Sequence, residues 1–395
     1  MREPSDTPHQ ARPLQPTAAG IALAVPDDTP VALRERGRPP SQILWRKLRR
    51  NRTAMLGLYI LVVLCAASVI AGFLAPYGYD NAQPDFSFHP PMIGDIHIFD
   101  ESGSLTRPFV YRSVLDDVQL RIYHDDQSQK FPIRLFVRGD SYHILWVIRT
   151  NIHLFGVDEP GRLYLFGADQ LGRDVFSRLL YGAQISLSVG IAGIIISTIL
   201  GMLIGGMAGY FGGAVDFLSM RTVEVLLALP SLYFILILRK MFDNASSTQM
   251  YLIIVIILAF IGWATEARII RGMVLSLKEQ EYVVAARALG LGDARIIIRH
   301  ILPNTLSFVI VTATLSVPFY ILGEVALSFL GAGIREPEAS WGNMLAQAQS
   351  TRSLIYFPWV LIPGFFIFIA VLAWNFLGDG LRDAADPRTE ASYRM

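Results

Sequence analysis

Six apolar runs alternate with polar stretches along the chain. A helix needs about 20 mostly apolar residues to cross the hydrocarbon core of a membrane, because each residue adds about 1.5 Å. The fourth run reaches that length only when the uncharged Ala245–Met250 in front of it is included. We therefore predict six membrane-spanning helices. They correspond to the runs Ala54–Ala75, Ala183–Tyr210, Thr222–Leu238, Tyr251–Ala264, Thr305–Ile334 and Phe357–Leu377.

Lysine and arginine are concentrated in two of the polar stretches, one before the first run and one between the fourth and fifth runs. Six spans put both stretches on the same face, and lysine and arginine mark the cytoplasmic face. We therefore predict that both termini are cytoplasmic, with Arg239 and Lys240 as a small exception on the opposite side. The basic residues are Arg34, Arg36, Arg38, Arg46, Lys47, Arg49, Arg50 and Arg52 in the first stretch and Arg268, Arg271, Lys278, Arg287, Arg295 and Arg299 in the second.

The polar stretch after the first run is long enough to form a small domain on the outer side. It contains short pieces with strand-like patterns, Asp95–Phe99 and Phe131–Val137, and the turn-like Arg138-Gly139-Asp140 follows the second piece. We interpret residues 76–168 as a strand-rich extracytoplasmic insert that covers the outer mouth.

The remaining parts follow from the same pattern. Residues 1–43 are rich in proline and are predicted to form a disordered cytoplasmic tail. Residues 44–75 hold the first span with its basic lead-in. Residues 169–380 form a core domain with five further spans and the polar segment 268–303, and residues 381–395 form a cytoplasmic C-terminal tail.

The composition agrees with a membrane protein and excludes several other classes. The chain is 52% hydrophobic and 17% charged, with a mean hydropathy of +0.41, whereas about a quarter of an ordinary soluble domain is charged. A net charge of +1 excludes a generally basic nucleic-acid-binding protein. The single cysteine, Cys65, excludes a disulfide framework and a cysteine-cluster metal site.

The stretch between the fourth and fifth runs carries the most informative pattern. Glu281 begins an alanine-rich, helix-compatible run that ends at Gly290 and Gly292, since glycine permits the left-handed conformation that stops a helix. Asp293 is predicted to cap a second short helix over Ala294–His300. Two short helices separated by small residues would fit a groove on a cytoplasmic partner.

An ordinary connecting loop is the alternative to this docking role. Pro303 permits the next span to begin after a break in the chain. The candidate docking residues are Glu281, Val284, Ala285, Ala286, Gly290, Leu291, Gly292 and Pro303.

Charged residues just before the second run are further candidates. Arg173 lies between two carboxylates, and this pattern predicts either a lining of the outer entrance or a structural network of ion pairs. The outer-entrance candidates in this stretch are Asp169, Gly172, Arg173 and Asp174.

Two features inside the spans also predict a role. Glu324 lies in the fifth span, and because an ionisable group at membrane depth is costly, it is our candidate for the translocation path. The alternative is a carboxylate that is hydrogen-bonded to a neighbouring span. Gly201, Gly205 and Gly209 recur every four residues in the second span and predict a close helix contact.

The sequence lacks the motifs of several enzyme classes. It has no G-x-x-x-x-G-K-[ST] phosphate loop, no H-E-x-x-H helix and no G-x-S-x-G elbow. Five histidines fall in the insert at spacings that match no metal site: His89, His97, His124, His143 and His153. We therefore predict no catalytic, cofactor-binding or metal site in this chain.

The polar segment 268–303 resembles a family motif. Val284-Ala285-Ala286, Gly290 and Leu302-Pro303 resemble the EAA motif of ABC importer permeases, at the spacing of that family. Two positions depart from the motif: Val284 replaces its glutamate and His300 replaces its isoleucine. The resemblance implies that this loop is the coupling helix that sits in the cleft of an ATPase subunit.

Three further motifs resemble the dipeptide and oligopeptide branch of these permeases. The run 166–178, FGADQLGRDVFSR, is similar to the G-T-D-x-x-G-R-D-x-x-S-R signature, with Ala168 in place of threonine. The runs 328–331 and 340–345 resemble the branch's SFLG…SWG-x-ML loop, which adds Trp341 to the outer-entrance candidates. The run 375–383 resembles its C-terminal N-x-LGDGLRD, and the likeness covers about residues 44–75 and 164–388.

The resemblance implies an all-α membrane protein with the six-helix fold of type I ABC importer permeases, to which the strand-rich insert is added. In that family the chain forms half of a pore with a second homologous permease subunit in a bacterial inner membrane. Two ABC ATPase subunits bind ATP and magnesium below, and an extracytoplasmic solute-binding protein delivers a short peptide above. The chain itself would bind no cofactor and no nucleic acid, and it would contact membrane lipid.

Three alternatives remain open at this point. Related permeases carry nickel, opines or sugar-like cargo instead of peptides. A secondary transporter without ATPases would have no docking loop and would bury more charge in its spans. An intramembrane protease would need paired catalytic residues inside its spans, and the candidates in this sequence are isolated.

Overall fold

The computed structural model describes residues 40–100, 103–144, 147–242 and 245–385. The predicted N-terminal tail at 1–43 and C-terminal tail at 381–395 lie outside these residues for the most part. The helices are α1 (Pro40–Arg50), α2 (Arg52–Val69), α3 (Ala71–Leu74), α4 (Val175–Phe211), α5 (Gly213–Ala228), α6 (Ser231–Lys240), α7 (Ser247–Leu277), α8 (Glu281–Ala288), α9 (Asp293–Ile296), α10 (Leu302–Phe329), α11 (Trp341–Leu345), α12 (Thr351–Tyr356) and α13 (Ile362–Ala385).

Within the described residues, five helices are long and apolar enough to cross a membrane. The predicted third span, Thr222–Leu238, is instead a pair of helices, α5 and α6, bent by 91° at their junction. Pro230 explains the break, because its ring holds the preceding Leu229 in an extended conformation and removes a backbone donor. The chain therefore has five candidate spans, or six if the bent pair counts as one.

The second and fourth predicted spans pack tightly against each other as α4 and α7. A Cβ atom added at Gly201 would lie 2.6 Å from the Cβ atom of Glu266, and one added at Gly209 would lie 2.8 Å from the backbone oxygen of Arg271. An added Cβ at Gly205 would collide with the backbone oxygen of Ala267. The predicted close contact along the glycine face is confirmed.

We expect the substitution Gly205→Leu to separate α4 from α7. The side chain would meet backbone atoms of α7, which cannot rotate away, so the folded chain should lose about 1–3 kcal/mol of stability. Thermal unfolding of the purified chain in detergent measures this loss. Gly272→Leu is the matched control, because a Cβ at Gly272 on α7 meets nothing within 4 Å. Equal melting temperatures for the two variants would contradict the prediction.

The segment before the fifth predicted span differs from the expectation of a break at Pro303. One turn of π-helix over Ile297–Ile301 joins α9 to α10, so the helix runs without interruption from Asp293 to Phe329. Proline is tolerated there because Pro303 lies in the first turn of α10, where its missing donor needs no partner. Asp293 is the first residue of α9 rather than its cap.

The insert consists mainly of two small antiparallel sheets with the orders β1-β2-β3 and β4-β5. Its predicted turn at Arg138-Gly139-Asp140 was wrong, because these residues lie inside β4 at an irregularity in the pairing register. The Asp140 carboxylate accepts hydrogen bonds from Gly78 N and Asn81 Nδ2, both at 2.8 Å. These bonds hold the irregular strand against the segment that follows the first span. The strands are β1 (His97–Phe99), β2 (Leu105–Asp117), β3 (Ile122–Pro132), β4 (Arg134–Ile144) and β5 (Ile148–Gly156).

Candidate functional site

The two short helices α8 and α9 form a compact unit with the turn between them, which we call the α8–α9 segment (residues 281–296). Gly290 has a φ of +77°, a left-handed conformation that favours glycine, and it ends the α8 region. A Cβ atom added at Gly290 or Gly292 would meet nothing within 4 Å. The glycines therefore leave the outer side of the turn open.

The inner side of the α8–α9 segment packs against the ends of two long helices. Val283 and Ala286 are buried in one cluster with Ile270 and Val274 of α7 and with Ile296. Alternate sides of α8 thus have different environments, since the residues between these two are exposed. The segment is held by apolar contacts and is not a loosely attached loop.

Polar contacts connect the same segment to the end of α4. The Tyr210 hydroxyl donates a hydrogen bond to Asp293 Oδ1 at 2.7 Å. The Arg287 guanidinium carbon lies 5.5 Å from the centre of the Tyr210 ring, and its hydrogen bond to Tyr210 raises the pKa of Arg287. One aromatic side chain therefore contacts both short helices, so a displacement of the segment would be transmitted to α4.

The outer side of the segment presents apolar side chains without burying them. Leu289 is 82% exposed, Val284 is 50% exposed and Tyr282 is 41% exposed. Exposed apolar groups beside open glycines suit close contact with another protein. Of the other predicted docking residues, Glu281 and Ala285 lie exposed on α8 and Leu291 packs against the inner cluster, whereas Pro303 belongs to α10.

Charged residues at the start of the second span form a cluster with the half-exposed Glu336, which we call the Asp169 network: Asp169, Arg173, Arg178 and Glu336. Arg173 Nε donates to Asp169 Oδ2 at 2.7 Å, and the Arg173 guanidinium also pairs with Glu336. Arg178 Nη2 lies 3.2 Å from Glu336 Oε2. The side chains of Asp169, Arg173 and Arg178 are at most 4% exposed and that of Glu336 is 47% exposed. These contacts are those of a structural network of ion pairs, which was one of the two interpretations of the sequence.

Sequence reasoning missed two members of this network. Arg178 is one turn beyond Asp174 and lies within the run that was compared with the family signature, so its position in α4 was a usable signal. Glu336 belongs to the loop after α10, and nothing local to it indicates a partner about 160 positions earlier. The role of these residues in the outer entrance stays a prediction.

The other entrance candidates lie close to the network but face inward. Asp174 caps α4 by accepting hydrogen bonds from Ser177 N and Oγ at 2.8 and 2.6 Å, and burial raises the pKa of its carboxyl to about 7. Gly172 has a φ of +73° and lies against the backbone oxygen of Gln83. Trp341 is 0% exposed and donates from Nε1 to the backbone oxygen of Leu179 at 3.0 Å.

Glu324 lies between two spans and has hydrogen-bond partners from both. Its carboxylate accepts from Ser186 Oγ of α4 at 2.8 Å and from Ser328 Oγ of α10 at 2.7 Å, and the residue is 0% exposed. These contacts are those of a carboxylate that joins two helices, which was the alternative interpretation. Its place in a translocation path stays a prediction.

The insert contains a buried histidine beside a cavity of about 430 Å³. His89 Nδ1 donates to the backbone oxygen of Pro90 at 2.7 Å, so Nε2 accepts from Ser113 Oγ at 2.6 Å. Burial lowers the pKa of His89 to about 4. Among the described residues, no group of three or more His, Cys, Asp or Glu side chains is placed to hold a metal ion.

We expect the insert to lose stability between pH 6.5 and pH 4. The unfolded chain binds a proton at His89 near pH 6.5, whereas the folded chain does not bind it until about pH 4. The stability is therefore complete above pH 6.5 and falls by up to about 3 kcal/mol as the pH drops through this window. Limited proteolysis of the insert at several pH values measures this change.

The control for this pH dependence is a pair of histidine variants. His89→Gln should remove most of the dependence on pH, and His124→Gln should leave it unchanged, because His124 is about half exposed beside Asp116. A profile that depends on His124 and not on His89 would refute the assignment.

Known families match two parts of the chain. Residues 201–391 match the family described as binding-protein-dependent transport system inner membrane component. Residues 39–91 match the N-terminal TM domain of oligopeptide transport permease C.

Individual proteins match over a longer part. The dipeptide transport system permease protein DppC of Bacillus subtilis is 35% identical over 348 residues, which are 88% of this chain and 86% of that protein. The oligopeptide transport system permease protein OppC of Haemophilus influenzae is 44% identical over 226 residues, 57% of this chain and 70% of that protein. A crystal structure of an amino acid ABC transporter with histidines aligns with 51% of this chain and 91% of that chain, at 19% identity and a TM-score of 0.39. The two permease relatives and the two family matches agree. The chain belongs to the family of dipeptide and oligopeptide permeases, the inner membrane components of binding-protein-dependent ABC transport systems.

Proposed function

We propose that this chain forms half of the pore of an ABC importer for short peptides. As a member of the permease family, it is a non-catalytic subunit. The proposed second half is a homologous permease, and an extracytoplasmic solute-binding protein delivers the peptide. ATP and magnesium are bound by two ATPase subunits, and this chain contributes the surface that receives their motion.

The α8–α9 segment is the observation that carries this proposal. Its inner side is packed against α7, and Tyr210 connects it to α4, while Leu289 and the open glycines face away from the chain. A partner that pushes this surface would move the ends of two spans together. This coupling supports the transfer of motion from an ATPase to the pore.

The topology proposed for this role has six spans and cytoplasmic termini in a bacterial inner membrane. In this arrangement α5 and α6 together form the third span, in spite of the 91° bend between them. The α8–α9 segment then lies in the cytoplasm, in agreement with its basic residues, and the insert lies outside.

We assign the insert a place over the outer mouth of the pore. The turn between β2 and β3 contacts α12, where the Arg352 guanidinium donates to the backbone oxygen of Gln119. The rings of Phe88 and Phe357 stack with centres 4.2 Å apart. A cavity of about 900 Å³ lies between these two parts, and glutamine and arginine side chains contribute to its lining. Such groups can hydrogen-bond a peptide backbone as it enters.

Purification of the tagged chain from its native membrane tests the proposal. We expect a second permease and P-loop ATPases to copurify in mild detergent, and the associated binding protein to retain peptides. If the chain purifies at full yield without a second permease or an ATPase, the importer assignment is wrong. If the complex forms but the binding protein selects nickel, an opine or a sugar, only the peptide cargo is wrong.

A further inference from the structure

The β4–β5 hairpin of the insert is attached to the end of the first span. His153 Nδ1 donates to the backbone oxygen of Ala75 at 2.5 Å. The ring of Tyr142 lies directly against Gly72, where an added Cβ atom would collide with it. The rings of Phe136 and Phe73 are 6.3 Å apart. Three contacts therefore fix the position of the hairpin relative to α3.

These contacts also give the direction in which the hairpin runs. Gly72 precedes Ala75 by three residues, so it lies about 4.5 Å deeper toward the centre of the membrane. On the hairpin, Tyr142 and its partner Thr150 lie nearer the tip than His153. The tip pair Ile144 and Ile148 comes two residues beyond Tyr142, which adds about 7 Å. The hairpin therefore descends along the span toward the bilayer.

The side chains near the hairpin tip are apolar, as a position at the depth of the bilayer requires. Val147 is 81% exposed and Ile148 is 63% exposed, although they are apolar. The adjacent top of the first span is apolar and exposed as well, with Val69 at 48% and Ile70 at 39%. Exposed apolar side chains thus occur both at the hairpin tip and at the top of the span to which the hairpin is attached.

Basic side chains lie immediately above this apolar tip. His143 and Arg149 form the cross-strand pair next to Ile144 and Ile148, and both are exposed. Arg138 is exposed two pairs further up. The positive charge of Arg149, one strand step above an apolar tip, is complementary to lipid phosphates above acyl chains.

We propose that the β4–β5 hairpin inserts its tip into the outer leaflet of the bilayer as a second, monotopic membrane anchor of this chain. The occupant of the apolar surface is phospholipid, with Arg149 at the level of the phosphates. A soluble binding protein approaches from above and cannot reach the depth of the span. This lipid contact is additional to the proposed function. The proposed orientation determines only which leaflet the hairpin contacts.

Quenching by brominated lipid tests the proposal in the assembled importer, reconstituted in nanodiscs. In a Cys65→Ser background, Val147→Cys carries an environment-sensitive fluorophore. Leu105→Cys is the matched control, because Leu105 is similarly apolar and 77% exposed but belongs to the other sheet of the insert. We expect blue-shifted emission and several-fold stronger quenching by bromine on the acyl chains at position 147 than at position 105.

A second variant separates lipid contact from mere proximity. Ile148→Asp in the Val147→Cys chain should reduce the quenching, since a carboxylate disfavours the acyl region. The complex should still assemble, because the Ile148 side chain is 63% exposed. Equal quenching at positions 147 and 105 would overturn the proposal. So would a photo-crosslink from position 147 to the second permease or to the binding protein in place of a lipid adduct.

Discussion

Replacing Leu289 by aspartate should abolish ATP-driven uptake while leaving the permease folded and inserted. Leu289 is 82% exposed at the turn of the α8–α9 segment, so the change removes little packing within the chain. A buried charge in a docking cleft would cost at least about 2 kcal/mol of binding, or roughly a 30-fold weaker complex. Copurification of the ATPase and peptide uptake by cells measure the two consequences separately.

The matched control for this change is Leu105→Asp. It introduces the same charge at a position that is 77% exposed, but in the insert. We expect normal copurification of the ATPase with that variant. Full uptake by the Leu289→Asp permease would show that the open side of the segment is not the docking surface.

Two glycine variants distinguish docking from backbone conformation in the same segment. Gly290 needs its left-handed φ of +77°, whereas Gly292 has an ordinary φ of −65°. Gly290→Arg therefore adds both a bulky group and about 1–2 kcal/mol of backbone strain, and Gly292→Arg adds only the bulky group. If docking requires an open turn, both variants uncouple transport. If only the bend matters, the Gly292 variant transports normally.

Features that depend on neighbouring residues could be predicted from this sequence. The glycine spacing in α4 predicted a close helix contact, although not that the partner is α7, and Gly290 ends the first short helix as expected. Both follow from backbone geometry, which acts within a few residues. The bend at Pro230 was harder to predict from the sequence, because a proline restricts the residue before it but does not determine the angle between the two helices.

Partners far apart in the chain could not be predicted. Glu324 was recognised as costly at membrane depth, but Ser186 lies 138 residues away and nothing in its run identifies it as the partner. The same holds for Glu336, whose ion pair with Arg173 joins residues 163 positions apart. Such pairs result from how the helices pack, and a single sequence carries no record of that packing.

Replacing Arg173 by alanine should be the most destabilising single change outside the spans. The network has two arginines, Asp169 and Glu336, so its formal charges balance. The variant removes one of these charges and takes away the 2.6 Å ion-pair partner of the buried Asp169, which keeps only Arg178 at 3.6 Å. Breaking one partner of a buried ion pair costs about 3–5 kcal/mol. Thermal unfolding and the yield of folded chain after extraction measure this loss.

Arg134→Ala is the control, because Arg134 forms a 2.9 Å pair with Asp158 in which both side chains are more than half exposed. An exposed pair contributes at most about 1 kcal/mol to stability, so this variant should have nearly the same melting temperature as the parent chain. Removing both charges with Asp169→Asn and Arg173→Met should recover part of the loss, since the remaining Arg178 and Glu336 still balance. A double variant that is less stable than Arg173→Ala would show that hydrogen bonds, and not charge balance, hold this network together.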